Sequence, residues 1–273
     1  MNNTIYLVKL GGSLITNKSK PYTARVDVIR RLAYEVKEAL SERKVKLIIG
    51  HGGGSFPHTS ASKYQTHKGF IDSSSRYGMA VVHYDAIRLN EIVVGEFIKA
   101  GLPVFPIQPS SIVLAEDSEI KEMHMNPILE LLDRDMIPIL YGDVCVDLKI
   151  GCSIISTEKI LGYIALKLKE LCGLKPYIIM CGIVDGVYTK DPVKYRDATF
   201  ISEISKENIN EVKRYLSNSY GVDVTGGMLH KVLTLYKLAE KGINSIIINC
   251  MHPDNLKNAL LEGYVKGTRI KYV

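Results

Sequence analysis

The chain of 273 residues has five cysteines, Cys145, Cys152, Cys172, Cys181 and Cys250, an odd number with no CxxC spacing among them. Neither a disulfide framework nor a zinc site is indicated, and a reducing cytoplasm is the expected compartment. No window approaches the roughly 20 consecutive apolar residues needed to span a membrane. The start, Met1 to Lys9, lacks the basic, apolar and small-residue zones of a signal peptide. No run of basic residues interleaved with aromatics marks a nucleic-acid groove, so neither a membrane nor a nucleic acid is expected as a partner. Internal repeats and low-complexity tracts are also absent.

What is present is ordinary for a globular protein. Hydrophobic residues make up 46% and charged residues 23%, enough to bury a sizeable core. Thirty-five Lys and Arg against 29 Asp and Glu give +6, a mildly basic surface whose field favours anionic ligands. The length allows one large α/β unit or a two-lobed molecule.

Short apolar runs alternate with longer amphipathic ones, the pattern of strands and helices around a largely parallel sheet. Residues 4–10, 45–49, 103–107, 137–141, 177–180 and 244–249, rich in Ile, Val and Leu, read as buried strands. Residues 24–43 and 76–100 carry apolar side chains at three-to-four spacing and read as helices on that sheet. Residues 144–156 alternate around Lys149-Ile150-Gly151 and predict a hairpin. Helix-stopping residues from Leu171 to Pro176 place a soft boundary between lobes 1–172 and 173–273.

Four segments carry chemistry. Lys9-Leu10-Gly11-Gly12-Ser13 follows a strand directly, and Lys18 comes soon after. A glycine pair there is by itself a turn, but with lysines alongside, the bare backbone and compact positive charge suit a phosphate. His51-Gly52-Gly53-Gly54-Ser55-Phe56-Pro57-His58 ends the next strand, at the sheet edge where open α/β proteins bind ligands. Three successive glycines are entropically costly, and a backbone nest around an anion is the compensation. The segment carries neither the dinucleotide nor the P-loop fingerprint. His51 is expected to brace the loop, and His58 to close the nest. Asp185-Gly186-Val187-Tyr188-Thr189-Lys190-Asp191-Pro192 is, in isolation, a turn. Asp223-Val224-Thr225-Gly226-Gly227 opens an amphipathic run whose first turn contains Lys231, and a helix start of that kind is an anion site.

These four segments, in this order, resemble the amino acid kinase superfamily, and the resemblance extends from Lys9 to Gly267-Thr268-Arg269-Ile270. It implies an αβα sandwich around a largely parallel central sheet, with the acceptor in the N-terminal lobe and ATP with Mg²⁺ in the C-terminal lobe. The second histidine of HGGGSFxH is similar to the branch that phosphorylates isopentenyl phosphate, where that histidine meets the acceptor phosphate. By this resemblance Lys9, Lys18 and Lys231 surround the moving phosphoryl group, and Gly11, Gly12, Ser13, Gly53 and Gly54 cradle phosphates. Asp185, Gly186, Tyr188, Asp191, Asp223, Gly226 and Gly227 line the nucleotide site. The helix bearing Tyr77, Val81, Val82, Tyr84 and Ile87 faces a small isoprenoid tail, and Gly151 joins the acceptor contacts. A homodimer is implied as well.

Two positions depart from the family pattern. Pro57 stands where glycine is usual, which removes one N–H from the cradle. Ser156-Thr157-Glu158 stands where Ser-Gly-Asp is usual, so Glu158 would organise the lysines from one methylene further out. The rival readings are a carboxylate kinase acting on acetylglutamate, glutamate or aspartate, which favours an arginine clamp such as Arg76 or Arg88; a uridylate kinase; and a non-catalytic nucleotide sensor.

Overall fold

The computed structural model describes residues 3–192, 194–219 and 227–272, with residues 218 and 219 described by backbone alone. In chain order the first elements are β1 (Thr4–Leu10), the one-turn α1 (Gly12–Ile15), α2 (Val26–Glu42), β2 (Lys46–His51), α3 (Pro57–Tyr64) and the long α4 (Ser75–Lys99). Next come β3 (Val104–Pro106), β4 (Val113–Glu116), β5 (Glu119–Met123), α5 (Asn126–Asp133), β6 (Ile137–Tyr141), β7 (Asp143–Asp147), β8 (Gly151–Ile155) and α6 (Thr157–Cys172). The last third holds β9 (Lys175–Gly182), β10 (Val187–Tyr188), β11 (Phe200–Ile201), β12 (Glu203–Ile204), α7 (Ile209–Ser219), α8 (Met228–Glu240), β13 (Asn244–Asn249), α9 (Asn255–Leu260) and β14 (Gly267–Ile270).

Eight strands form the main sheet in the order β12-β14-β13-β9-β1-β2-β6-β3. The β13–β14 pair is antiparallel and the other neighbours are parallel. Strand β1 sits near the centre, between β2 and β9, and its alternate side chains feed two cores. Ile5 and Leu7 join Ile128 of α5, Ile160 and Ile164 of α6, and Leu235 of α8. Tyr6, Val8 and Leu10 join Leu32 of α2, Leu89 and Val93 of α4, and Leu256 of α9. Burial on both faces is why the strand reads as an unbroken apolar run, and it makes the expected αβα sandwich. Each fully buried Leu or Ile contributes roughly 1.5–3 kcal/mol.

The expected strands and helices are found with ends displaced by a residue or two. Strand β2 continues to His51 because His51 still pairs with Tyr141 of β6. The expected hairpin is the antiparallel β7–β8 pair. The buried Asp147 carboxylate accepts N–H bonds from Ser118, Lys149 and Ile150, tying this hairpin to the β4–β5 turn. Burial pushes that carboxyl up, and the backbone donors outweigh it and hold it at about 2. Gly173, in the left-handed region at φ 61°, ends α6 at the expected lobe boundary. Strands from beyond it make one half of the same continuous sheet. Among the described residues no helix is long and apolar enough to cross a membrane.

Candidate active site

The C-terminal ends of β1, β2 and β9 open onto a cleft of about 220 Å³. Two glycine turns meet at its floor. A Cβ on Gly12 would stand 2.6 Å from the Gly54 nitrogen, and one on Gly52 would stand 2.9 Å from the Gly12 nitrogen. Only bare backbone fits there, so the turns after β1 and β2 approach each other closely and line the cleft with peptide groups. The Thr16 hydroxyl stitches them together, donating to the Gly12 carbonyl at 2.7 Å and accepting from the Ser55 N–H at 3.0 Å.

Charge is concentrated around that floor. Lys9, Lys18 and Lys231 line the cleft together with Gly11, Gly12, Ser13, Gly53, Gly54 and His58. The Lys9 Nζ donates to Glu158 Oε1 at 2.8 Å, and both side chains are largely buried. Burial pushes the Glu158 carboxyl up, but the Lys9 charge and hydrogen bond, with a smaller pull from Lys231, hold it at about 2. Glu158 lies in the first turn of α6, whose N-cap Ser156 accepts the Lys159 N–H, so the helix end also favours its negative charge. The longer side chain of Glu158 thus reaches Lys9, as the family resemblance implies for this position. Among the described residues no group of three His, Cys, Asp or Glu could hold a metal ion.

His51 is buried, stacked on Tyr141 with ring centroids 5.4 Å apart, and its ring nitrogens lie 3.2 Å from the Gly52 carbonyl oxygen and Asn90 Oδ1. Burial lowers its pKa to about 4, so it is a neutral brace for the loop, as expected. His58, by contrast, is exposed in the first turn of α3. Pro57 is the first residue of α3, a position where a helix leaves the N–H unbonded in any case. Its ring occupies the space beside Gly53, where an added Cβ would meet it at 2.3 Å. The missing donor is thus accompanied by a rigid start for the helix bearing His58.

Away from the lysines the cleft wall has an apolar patch, made by Ala61 of α3, Val82 of α4 and Ile154 of β8. Of the α4 residues expected on the acceptor side, Val82 alone lines this cleft. Tyr77 and Tyr84 are 66% and 61% exposed, Val81 is half-buried, and none of them lines the cleft. A helix turns about 100° per residue, so the one-residue step from Val82 to Val81 leaves the inward face, and Tyr77 and Tyr84 lie opposite it. Gly151 is also outside the cleft. It holds the β7–β8 turn at φ 86°, where a side chain would strike the Phe70 ring at 2.5 Å. Asp143, which sequence reasoning did not single out, does line the cleft and bonds the His83 ring at 3.0 Å. No spacing in the sequence marks it.

On the opposite side the cleft is lined by Gly182, Ile183, Val184, Met228 and Lys231. Asp185, Gly186, Tyr188 and Asp191 stand beyond that lining. Asp185 binds Lys266 Nζ at 2.8 Å and accepts from Asn249 Nδ2 at 3.0 Å. The Lys266 hydrogen bond is the main reason its carboxyl is held below the usual range. Gly227 caps α8, while Asp223 and Gly226 lie outside the described residues.

The whole arrangement has close relatives. Residues 4–249 match the model of the amino acid kinase family. The chain is 34% identical to the isopentenyl phosphate kinase of Methanothermobacter thermautotrophicus, over 97% of this chain and 98% of that one. It is equally 34% identical to the isopentenyl phosphate kinase of Methanocaldococcus jannaschii, with the same coverage. A solved structure described as an X-ray structure of isopentenyl phosphate kinase superposes with a TM-score of 0.83 at 32% identity, covering 98% of this chain and all of that one. With the family's match spanning most of its length and such relatives spanning nearly all of it, the chain belongs to the amino acid kinase family.

Proposed function

We propose that this chain transfers the γ-phosphoryl group of ATP to isopentenyl phosphate, giving isopentenyl diphosphate and ADP. The observation that carries the reading is the convergence of three lysines, His58 and two glycine turns on one cleft that also has an apolar patch of Ala61, Val82 and Ile154. Phosphoryl transfer asks mainly for in-line positioning and for neutralisation of charge on the moving group. Lys9, held in place by Glu158, and Lys231 suit the second task. Lys18, His58 and the glycine backbone suit the acceptor phosphate, and Ala61, Val82 and Ile154 suit a five-carbon tail. No general base is needed, because the acceptor phosphate is already ionised at neutral pH. Magnesium would be carried in by the ATP phosphates and water, its usual ligands, and would help neutralise the transferring group.

In this reading the acceptor occupies the 1–172 lobe and the nucleotide the 173–273 lobe, near Gly182 to Val184, Asp185 and the start of α8. The five free cysteines suit a reducing cytoplasm. A carboxylate acceptor is disfavoured because Arg76 and Arg88 do not line the cleft. The far face of α4 supports a homodimer: Tyr77, Tyr84 and Ile98 are large apolar side chains exposed on it, sharing the face with the charged Arg88 and Glu91.

The test is coupled ADP release with isopentenyl phosphate, acetylglutamate, aspartate, UMP or no acceptor. Turnover with isopentenyl phosphate at least tenfold above each other arm is expected. Greater turnover with an amino acid or UMP would overturn the assignment.

A further inference from the structure

Lys18 is carried by the loop between α1 and α2, and His58 by the start of α3. If both are to meet one acceptor phosphate, something must fix their spacing. Isolated loops of this length do not hold a lysine still, because each residue keeps its backbone freedom unless contacts remove it.

Part of the fixing is local, through the Asn17 N–H bond to the Thr23 carbonyl and the Thr23 N–H bond to Ser55 Oγ, and further contacts come from side chains outside the cleft. Tyr22, four residues after Lys18, adopts φ 53°, a left-handed conformation that side chains with a Cβ rarely take. It is held there on three sides. Its N–H donates to the Ser55 carbonyl at 3.1 Å, and its hydroxyl donates to Asp85 Oδ2 at 3.1 Å. Its ring stands edge-on to Phe56, with centroids 5.8 Å apart and planes at 89°. Phe56 is the N-cap of α3, two residues before His58. Above both rings lies the Arg88 guanidinium of α4, 5.1 Å from the Tyr22 centroid and 5.9 Å from that of Phe56. Asp85, buried on the same helix, lies 3.5 Å from Arg88 Nη1. One planar cation thus covers a ring from each of the two loops that face the acceptor, a task suited to arginine, which stacks on aromatic faces. Tyr22, Phe56, Asp85 and Arg88 are absent from the cleft lining, so they act through the residues they hold.

We propose that Arg88 and Tyr22 are positioning residues that lock the Lys18 loop to the His58 loop at a fixed spacing for one acceptor phosphate. The proposal rests on reading the cleft as a phosphate-acceptor site. Misplacing a binding group by an ångström is enough to slow a reaction severely. Arg88→Ala and Tyr22→Leu should therefore lower kcat/KM for isopentenyl phosphate about tenfold while the KM for ATP stays within about twofold. In a Lys18→Ala/His58→Ala background the added Arg88→Ala should cause no further loss, since the residues it positions are gone. Independently of any substrate, amide hydrogen exchange should accelerate in residues 17–23 and 51–58 of Arg88→Ala and stay unchanged in β1 and β9. Unchanged exchange in those two loops overturns the clamp, as does an undiminished loss in the double background or a loss falling equally on ATP. Wild-type turnover of isopentenyl phosphate tests the acceptor assignment separately. If that fails, the exchange measurement still decides the clamp.

Discussion

A lysine buried beside a carboxylate at the end of a strand is held ready for an anion only if its partner stays charged, and Glu158, held at about 2, stays charged at any physiological pH. Removing Lys231 leaves that pair intact and takes away one cation from the cleft, so Lys231→Ala should lower kcat on the order of a hundredfold with little effect on folding. His58→Ala should lower kcat/KM for isopentenyl phosphate to a similar degree, on the order of a hundredfold, whereas His58→Gln keeps a donor and retains part of it. Idle ATP hydrolysis should stay the same for His58→Ala, and steady-state kinetics of these variants check both outcomes. Acid stability follows from the buried groups. His51 has its folded pKa depressed from 6.5 to about 4, so the stability it contributes is complete above 6.5 and is lost as pH falls toward 4. Glu158, depressed from 4.5 to about 2, adds a second loss between those values. His83 acts with the opposite sign. The hydrogen bond it donates to Asp143 raises its pKa, so its contribution is present below 6.5 and fades as pH rises through the folded value. Urea midpoints measured from pH 8 to pH 4 should fall less steeply on the acid side for His51→Gln than for wild type, and equal slopes would exclude the buried neutral ring as the cause.

Among elements, α4 has the most divided role. Its residues Val82, Leu89 and Val93 are buried, and Val82 also touches the cleft. Periodicity in the sequence found the helix but not its rotation, because apolar residues occur on both faces, and a stripe that covers most of a helix leaves its azimuth undetermined. Packing against α3 and the β7–β8 hairpin decides it, through the small cluster of Ala61, Val82, Val144 and Cys152. Val82→Ala should therefore deepen the acceptor pocket and raise the relative kcat/KM for longer prenyl phosphates, by a few-fold to about tenfold for the methyls removed. Tyr77→Ala should leave that ratio at its wild-type value. Competition assays with prenyl phosphates of increasing chain length measure both, and a shift caused by Tyr77→Ala instead would return the helix to its sequence-based orientation. The expected hairpin of residues 144–156 needed no such decision, since two strand-like runs flanking the turn at Lys149-Ile150-Gly151 are enough to pair β7 with β8.

For the molecule as a whole, the exposed face of α4 bears on assembly. Multi-angle light scattering should give about twice the chain mass of 30.4 kDa, and Ile98→Arg, placing a charge in that face, should shift it toward the single-chain value. A wild-type mass of one chain would remove the homodimer. The sequence by itself determined the alternation of buried strands and amphipathic helices, the glycine turns at strand ends, and the lysines and histidine beside them. Those are local signals: side-chain periodicity, missing Cβ atoms and charge next to a turn are all written within a few residues of chain. Only the tertiary structure decided which of them share a cleft. Lys9, Glu158 and Lys231 are far apart in sequence and meet because α6 and α8, which lead into the parallel strands β9 and β13, start at the sheet edge where β1 ends. Asp185 to Asp191 carried an equally plausible local pattern and stand beyond the lining of that cleft. Arg88, expected as a carboxylate clamp in a rival reading, instead lies over the rings of Tyr22 and Phe56, because a guanidinium's partner is set by what the fold places within reach of its helix face, and no spacing along the chain records that.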